Sequence, residues 1–386
     1  MPEMTRRQLL TMLGAAAAWP VQKSWGAPEA PAAPVSIARC KSYDESLVAT
    51  LSTMFDQLGG LQKLVKGKTV TVKLNLTGDP GLRLQGKPVG STHYTHPTLI
   101  EAFLHLADQA GAKRIRLVES CWATAGPLEE YMLDSGWRVR RFQSAAKNVE
   151  FENTNALGKG KQYSRFKVPG QAYMFPAYDL NHSYADTDVF VSMAKLKNHA
   201  TCGVTLSLKN CFGMTPASIY GEDAGEFEPN ESPGSGRGAV CHYGKRGPSK
   251  CSPQELHPES PREGGYRIPR IVADLTAARP IDLAIIDGIE TMIAGEGPWV
   301  RGTAPAQPGL LLAGLNPVCT DAVATAVMGY DPRADRGSAP FEKCDNTLKL
   351  AEALGAGTTD LKRIEVLGVP IEQALFPFPK HLNMTG

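Results

Sequence analysis

Residues 188–216 read DVFVSMAKLKNHATCGVTLSLKNCFGMTP. The stretch begins as an apolar, β-branched run at Val189, Phe190 and Val191 and passes abruptly into Lys195, Lys197, Asn198 and His199. After a short gap, Ser207, Lys209 and Asn210 repeat that chemistry. Such a run fits a strand buried on both faces. Cations and amides delivered at its end fit the place where open α/β sheets bind ligands, the crevice outside the strand carboxyl ends. On an extended backbone Lys195, Lys197 and His199 alternate onto one face. With Lys209 and Asn210 facing them, the cluster would hold carboxylate or phosphate through charge-assisted hydrogen bonds. The competing reading is a solvated basic turn. Charges placed between an apolar strand and glycine-containing turns, and not on an amphipathic helix, favour the site.

The flanking sequence repeats strand and helix. Residues 68–74 (KTVTVKL) predict a strand delivering Lys73 and Asn75. A helix follows, capped at Thr95 and opened by Pro97, with Leu99, Phe103, Leu106 and Ala110 on its buried face. Strand 114–118 delivers Glu119, helix 128–135 follows, and 138–142 is read as a further strand. Beyond the central stretch come a helix over 269–278, a strand over 281–287 ending at Asp287, and a strand over 310–313. Asn316-Pro317 then opens a helix in which Asp321 complements the positive N-terminal end. The last helix is placed near 347–354 and the last strand near 363–367. Alternation of this kind predicts an α/β fold: a mixed, mostly parallel sheet with flanking helices. It is expected to form two α/β lobes around a cleft, residues 35–187 and 188–386, with a polar, aperiodic insertion over 220–266.

Composition sets bounds. The 386 residues are 42% hydrophobic and 21% charged, as in an ordinary globular protein, and a net charge of +2 offers no general argument for a nucleic-acid partner. Residues 1–26 carry Arg6-Arg7, a short apolar run and small residues spaced for cleavage, the pattern of a twin-arginine signal peptide. The expectation is export by the twin-arginine machinery to the periplasm, with no stable membrane span after processing. An Ala/Pro linker follows over 27–34. In an oxidising compartment the eight cysteines suggest a disulfide between Cys241 and Cys251, while Cys202 and Cys211 could bridge or lie buried as thiols. No C-x-x-C pair is present, and zinc-ribbon and iron–sulfur spacings are absent.

The candidate roles divide by chemistry. His96, Lys197 and His199 are the proton-transfer candidates. Lys73, Asn75, Lys195, Asn198, Ser207, Lys209 and Asn210 are the groups to bind a small anionic substrate, and Glu119, Asp287 and Glu296 are their acidic partners. Lys73 on a central strand needs a carboxylate, a ligand or water, and Glu119 could serve as its salt-bridge partner. A metal would need three or four donors, and those available beside His93 and His96 (Glu119, His199, Asp287) lie far apart in sequence, so metal and cofactor stay unassigned.

Several of these segments, VKLN at 72–75, THP at 95–97, AKLKNH and LKNCFG in the central stretch, IIDGIETMIAGEGP at 285–298 and NPVCTDAVA at 316–324, resemble the bacterial and archaeal family known as domain of unknown function 362. The resemblance implies no general activity, and the ferredoxin-like cysteine motifs of some members are missing here. More remotely, the strand followed by K-x-K-x-H is similar to part of the nickel-pincer lactate racemase family. Only Lys197, His199 and Lys209 can be laid against that pattern, which implies an analogy of fold and no racemase. Two functions remain open. One is an exported enzyme acting on a small carboxylate or phosphate in a Lys/His-lined cleft. The other is a periplasmic binding or carrier protein using the same cleft without catalysis, for an anionic or metal-containing cofactor.

Overall fold

The computed structural model describes residues 29–44 and 46–380. The signal-peptide reading over 1–26 therefore lies outside the described residues. One eight-stranded sheet organises the chain: β1 (Val35–Arg39), β2 (Thr69–Lys73), β3 (Arg114–Glu119), β4 (Val149–Asn153), β5 (Val189–Lys195), β6 (Leu283–Gly288), β7 (Leu310–Gly314) and β8 (Val366–Gly368). Their spatial order is β8-β1-β7-β6-β5-β2-β3-β4. Only β7 runs against the others, being antiparallel to both β1 and β6, so the mixed, mostly parallel α/β expectation holds. Strands β2, β5 and β6 are buried along their whole length, and their uninterrupted apolar sequence reflects cover on both faces.

The cover is helical on both sides. Helices α1 (Ser46–Gln57), α2 (Pro97–Gln109), α3 (Leu128–Asp134) and α4 (Val139–Ala145) pack through Leu51, Phe103, Met132 and Phe142 against Val70, Val72, Leu117 and Val191. On the opposite face α5 (Leu206–Asn210), α6 (Gly264–Ala278), α7 (Pro317–Val327) and α8 (Thr347–Ala353) share a second core with Phe190, Ile286 and Leu312.

Local differences from the sequence expectations have simple causes. Residues 138–142 enter α4 instead of a strand, because the buried side chains Val139 and Phe142 are three apart and sit on one helical face. The next strand is β4, in a region without clear periodicity. His96 rather than Thr95 caps α2: its side chain accepts from Thr98 N, while Thr95 Oγ1 donates to Met193 O and ties the cap to β5. Cys241 and Cys251 are unpaired, as are Cys202 and Cys211. Cys241 is held in the core on a turn whose carbonyl accepts from Arg267, whereas Cys251 is exposed.

The chain order sets where the charged strand ends meet. From β2 it runs outward to β3 and β4, then returns to the other side of β2 as β5, which pairs with both β2 and β6. A single sheet thus crosses the boundary placed at 187. The reversal of direction between β2 and β5 is the place where open α/β sheets leave a crevice beyond the carboxyl ends, and Lys73 and Lys195 are the last residues of those two strands.

Candidate functional site

The charges at the strand ends fall into two groups. In the first, Lys195 Nζ lies 2.9 Å from Asp287 Oδ2, both side chains fully buried, and also donates to Gly90 O at 2.9 Å and Tyr43 OH at 3.2 Å. Asp287 accepts in addition from Tyr43 OH at 2.7 Å and His96 N at 3.0 Å. The His96 ring stacks on Tyr43 with centroids 3.6 Å apart. Burial pulls the His96 imidazole down to about 4, so near neutral pH it is an uncharged helix cap. Every polar atom of the Lys195–Asp287 pair has a partner, and this cluster clamps β5, β6 and the start of α2 together.

The second group surrounds Lys209. Strand β5 ends at Lys195, and Asn198–His199 form a separate bridge with Gly203–Val204, so the expected alternation does not continue through His199. Lys197, 1% exposed, turns inward and donates to His93 O at 2.7 Å and Glu296 O at 3.1 Å. Among the described residues no carboxylate oxygen accepts from it. Burial is the main cause lowering its ammonium to about 7, with Glu296 opposing and Lys209 and Lys195 reinforcing. Lys209 is partly exposed, lies 4.6 Å over the Phe212 ring, and makes no hydrogen bond or ion pair among the described residues. Its ammonium too is lowered by burial, and Lys73 and Arg237 add to the effect.

Lys73 is ion-paired with Glu119, as the sequence suggested, and donates to Leu74 O at 2.8 Å. Glu119 also accepts from Leu76 N and Ser120 N. Gly213 packs on this pair: an added Cβ would fall 3.0 Å from Lys73 Nζ and 3.2 Å from Glu119 Oε1, so any side chain there would press on the salt bridge. Asn210 joins the parts, donating to Ser192 Oγ at 3.0 Å and accepting from Asn75 Nδ2 at 3.2 Å. His199 Nδ1 accepts from Thr201 N at 3.1 Å, which places the ring proton on Nε2, and that N–H has no partner among the described residues. Burial drives its pKa well below the ordinary histidine value, so the imidazole is a neutral donor.

Other proposed binding groups are occupied. Asn198 donates to Tyr330 OH and accepts from Ala294 N. Ser207 is bonded through both N and Oγ to Asp321, which also accepts from Leu208 N at 2.8 Å. Asp321 therefore caps α5, not its own helix α7, at a point where Leu206 is held at φ 45°. Burial raises its carboxyl to about 7. The stability it contributes should fall as pH rises from about 4 to about 7, where only the folded state holds the proton. Denaturation across that range should show Asp321→Asn gaining on the unaltered protein. A constant difference would count against the assignment.

Three groups at the site escaped the sequence reading. Arg237, from the polar 220–266 segment, donates through Nε to Thr215 O at 2.6 Å and through Nη2 to Asn155 Oδ1 at 2.6 Å and Ser120 Oγ. It has no carboxylate partner among the described residues, and burial lowers its pKa. His242, five residues on, is lowered to about 4 by burial, with Lys209 next in effect. Trp299 stands edge-on to His93 at 5.7 Å and passes so close to Gly78 and Gly297 that a Cβ on either would lie within 2.4 Å of the ring. A glycine-flanked arginine in an aperiodic loop carries no periodic signal to reveal it. Among the described residues no group of three or more His, Cys, Asp or Glu is placed to hold a metal. A groove of about 660 Å³, lined by Tyr43, Leu47, Glu101, His105, Arg140 and Arg141, opens on the α1/α2 side.

Over residues 70–326 the chain matches the family model described as Domain of unknown function (DUF362). It is also similar to a thylakoid-associated protein of Synechocystis sp., 25% identical over 300 residues that cover 77% of this chain and 75% of that protein.

Proposed function

The chain belongs to the family described as Domain of unknown function (DUF362), and from that premise we propose that it binds a small anion, a carboxylate or phosphate, in the recess formed by Lys197, Lys209, Arg237 and His199. The observation that carries this reading is Lys209: a cation desolvated by its surroundings, partly open to solvent, whose ammonium makes no hydrogen bond or ion pair among the described residues and feels Glu296 only without direct contact. An uncompensated charge of this kind is costly without a partner. A ligand anion supplies one.

Within that reading the chain acts as an enzyme in which Lys197 moves a proton. It is buried and poised near neutrality, as a general acid or base requires. His199 contributes its Nε2–H to the ligand. Lys73, Asn75 and Asn210 hold the floor, with Glu119 and Glu296 as counter-charges, while Lys195 and Asp287 brace the strand ends. The carrier alternative is favoured by one feature: the imidazoles of His96, His199 and His242 are all held neutral and weakly basic. Export by the twin-arginine route rests on residues 1–26. No helix among the described residues is long and apolar enough to cross a membrane, and a relative described as thylakoid-associated is in keeping with an exported or membrane-associated station.

Calorimetric titration of the full chain with phosphate and with small carboxylates tests the reading. Lys209→Met should weaken the best-bound anion about ten- to hundredfold, the range for losing a hydrogen bond to a charged group, and leave the folded state intact because the Lys209 ammonium makes no hydrogen bond or ion pair among the described residues and methionine keeps an apolar stem over Phe212. Unchanged affinity in the variant would refute it.

A further inference from the structure

We infer that the ligand is a dianionic phosphomonoester, its phosphoryl group held between Lys209 and Arg237 with the His199 Nε2–H as a third donor. This rests on the anion-binding reading above and names the ligand class within it.

Charge balance comes first. Lys73 is neutralised by Glu119. Lys197 has Glu296 beside it, whose backbone carbonyl it bonds and whose carboxylate accepts from Ala200 N at 2.9 Å. Lys209 and Arg237 are left: Arg237 helps to lower the Lys209 ammonium, Glu296 and Glu119 act on the two cations without direct contact, and neither cation is ion-paired with a carboxylate among the described residues. A monocarboxylate would leave one of them unmatched. A dicarboxylate carries two charges but separates them along a carbon chain, whereas a phosphoryl dianion concentrates both on one group with three acceptor oxygens.

The donors match that group. Arg237 is fixed by bonds from Nε and Nη2 to Thr215, Asn155 and Ser120, which leaves Nη1 unengaged. Lys209 brings a free ammonium, and His199 a free N–H by the tautomer that Thr201 sets.

A second observation is independent of charge. Three buried polar side-chain atoms without a hydrogen-bond partner belong to residues of this neighbourhood: Asn75 Oδ1, His93 Nε2 and His242 Nδ1. Asn75 is bonded to Asn210, next to Lys209, His93 accepts from Lys197 through its carbonyl, and the charge on Lys209 acts on His242. Buried polar groups are seldom left unbonded. Asn75 Oδ1 in particular calls for a donor, which the alcohol hydroxyls of an ester supply while all three phosphoryl oxygens stay free to accept; hydrogen phosphate would have to use its single P–OH there.

The experiment is competition calorimetry on the full chain with glycerol phosphate, inorganic phosphate, succinate and acetate at matched ionic strength. Glycerol phosphate should bind at least about tenfold tighter than succinate or acetate, and Lys209→Met and Arg237→Gln should each weaken it about ten- to hundredfold. Arg237 also bonds the scaffold, so Lys209→Met is the variant that decides if Arg237→Gln does not fold. Succinate or acetate binding as tightly as the phosphate compounds would overturn the phosphoryl assignment and leave the anion site standing. Binding of none of the four would overturn both.

Discussion

Asp287→Ala is expected to lower the unfolding free energy by about 3–5 kcal/mol, the usual consequence of stranding one member of a buried ion pair. Lys195 and Asp287 are both fully buried, 2.9 Å apart. Removing the carboxylate leaves an ammonium facing only Gly90 O and Tyr43 OH, and it also deprives Tyr43 OH and His96 N of their acceptor. The pair itself is worth much less than its disruption costs, since both charges had to be desolvated to form it. Lys195→Met combined with Asp287→Leu should therefore be more stable than Asp287→Ala alone. Equilibrium denaturation of the two variants checks both statements. A single substitution with little effect on stability would mean that the cluster is not the clamp described above.

Relative to Lys197→Met, the unaltered protein should gain about 1.5 kcal/mol of stability between about pH 7 and pH 8.5. The sign follows from the direction of the shift. Burial lowers the folded ammonium to about 7 from its ordinary value, so above pH 7 the folded chain releases a proton that the unfolded chain keeps. Because the unfolded state then binds more protons, stability increases with pH until the unfolded lysine titrates. Burial lowers Lys209 and Lys195 in the same direction. The comparison is made against the variant because buried cysteines such as Cys202, Cys211 and Cys241, whose thiols burial raises, lower the stability of both proteins as the unfolded thiols ionise over the same range. A difference between the two proteins that does not change with pH would show Lys197 to be an ordinary lysine.

The sequence made the central strands legible because burial on both faces leaves an apolar run that polar positions do not interrupt, as in β5 and β6. It also made the chemistry of their ends legible: Lys73 with Glu119 was a pairing that two strand ends could suggest. Partnership over long separations was less accessible. Asp321 lies mid-pattern in a helix, and its partner Ser207 is 114 residues away. Lys195 and Lys197 are one residue apart, yet Lys195 is sealed by Asp287 whereas Lys197 finds only carbonyls, because the strand ends between them. Arg237 was hidden for another reason: irregular backbone has no period, and the packing of the 220–266 segment against Thr215 and Asn155 brings its charge to act on Lys209.

The most direct measurement is the titration of the lysine ammonium groups, by heteronuclear magnetic resonance on selectively labelled full chain, with and without added anion. Lys197 should titrate near 7 in the free protein, and both it and Lys209 should move upward when glycerol phosphate or a carboxylate binds, since a nearby negative charge favours the charged form. Ordinary lysine values in the free protein, unmoved by any anion at saturating concentration, would contradict a recess built from uncompensated cations.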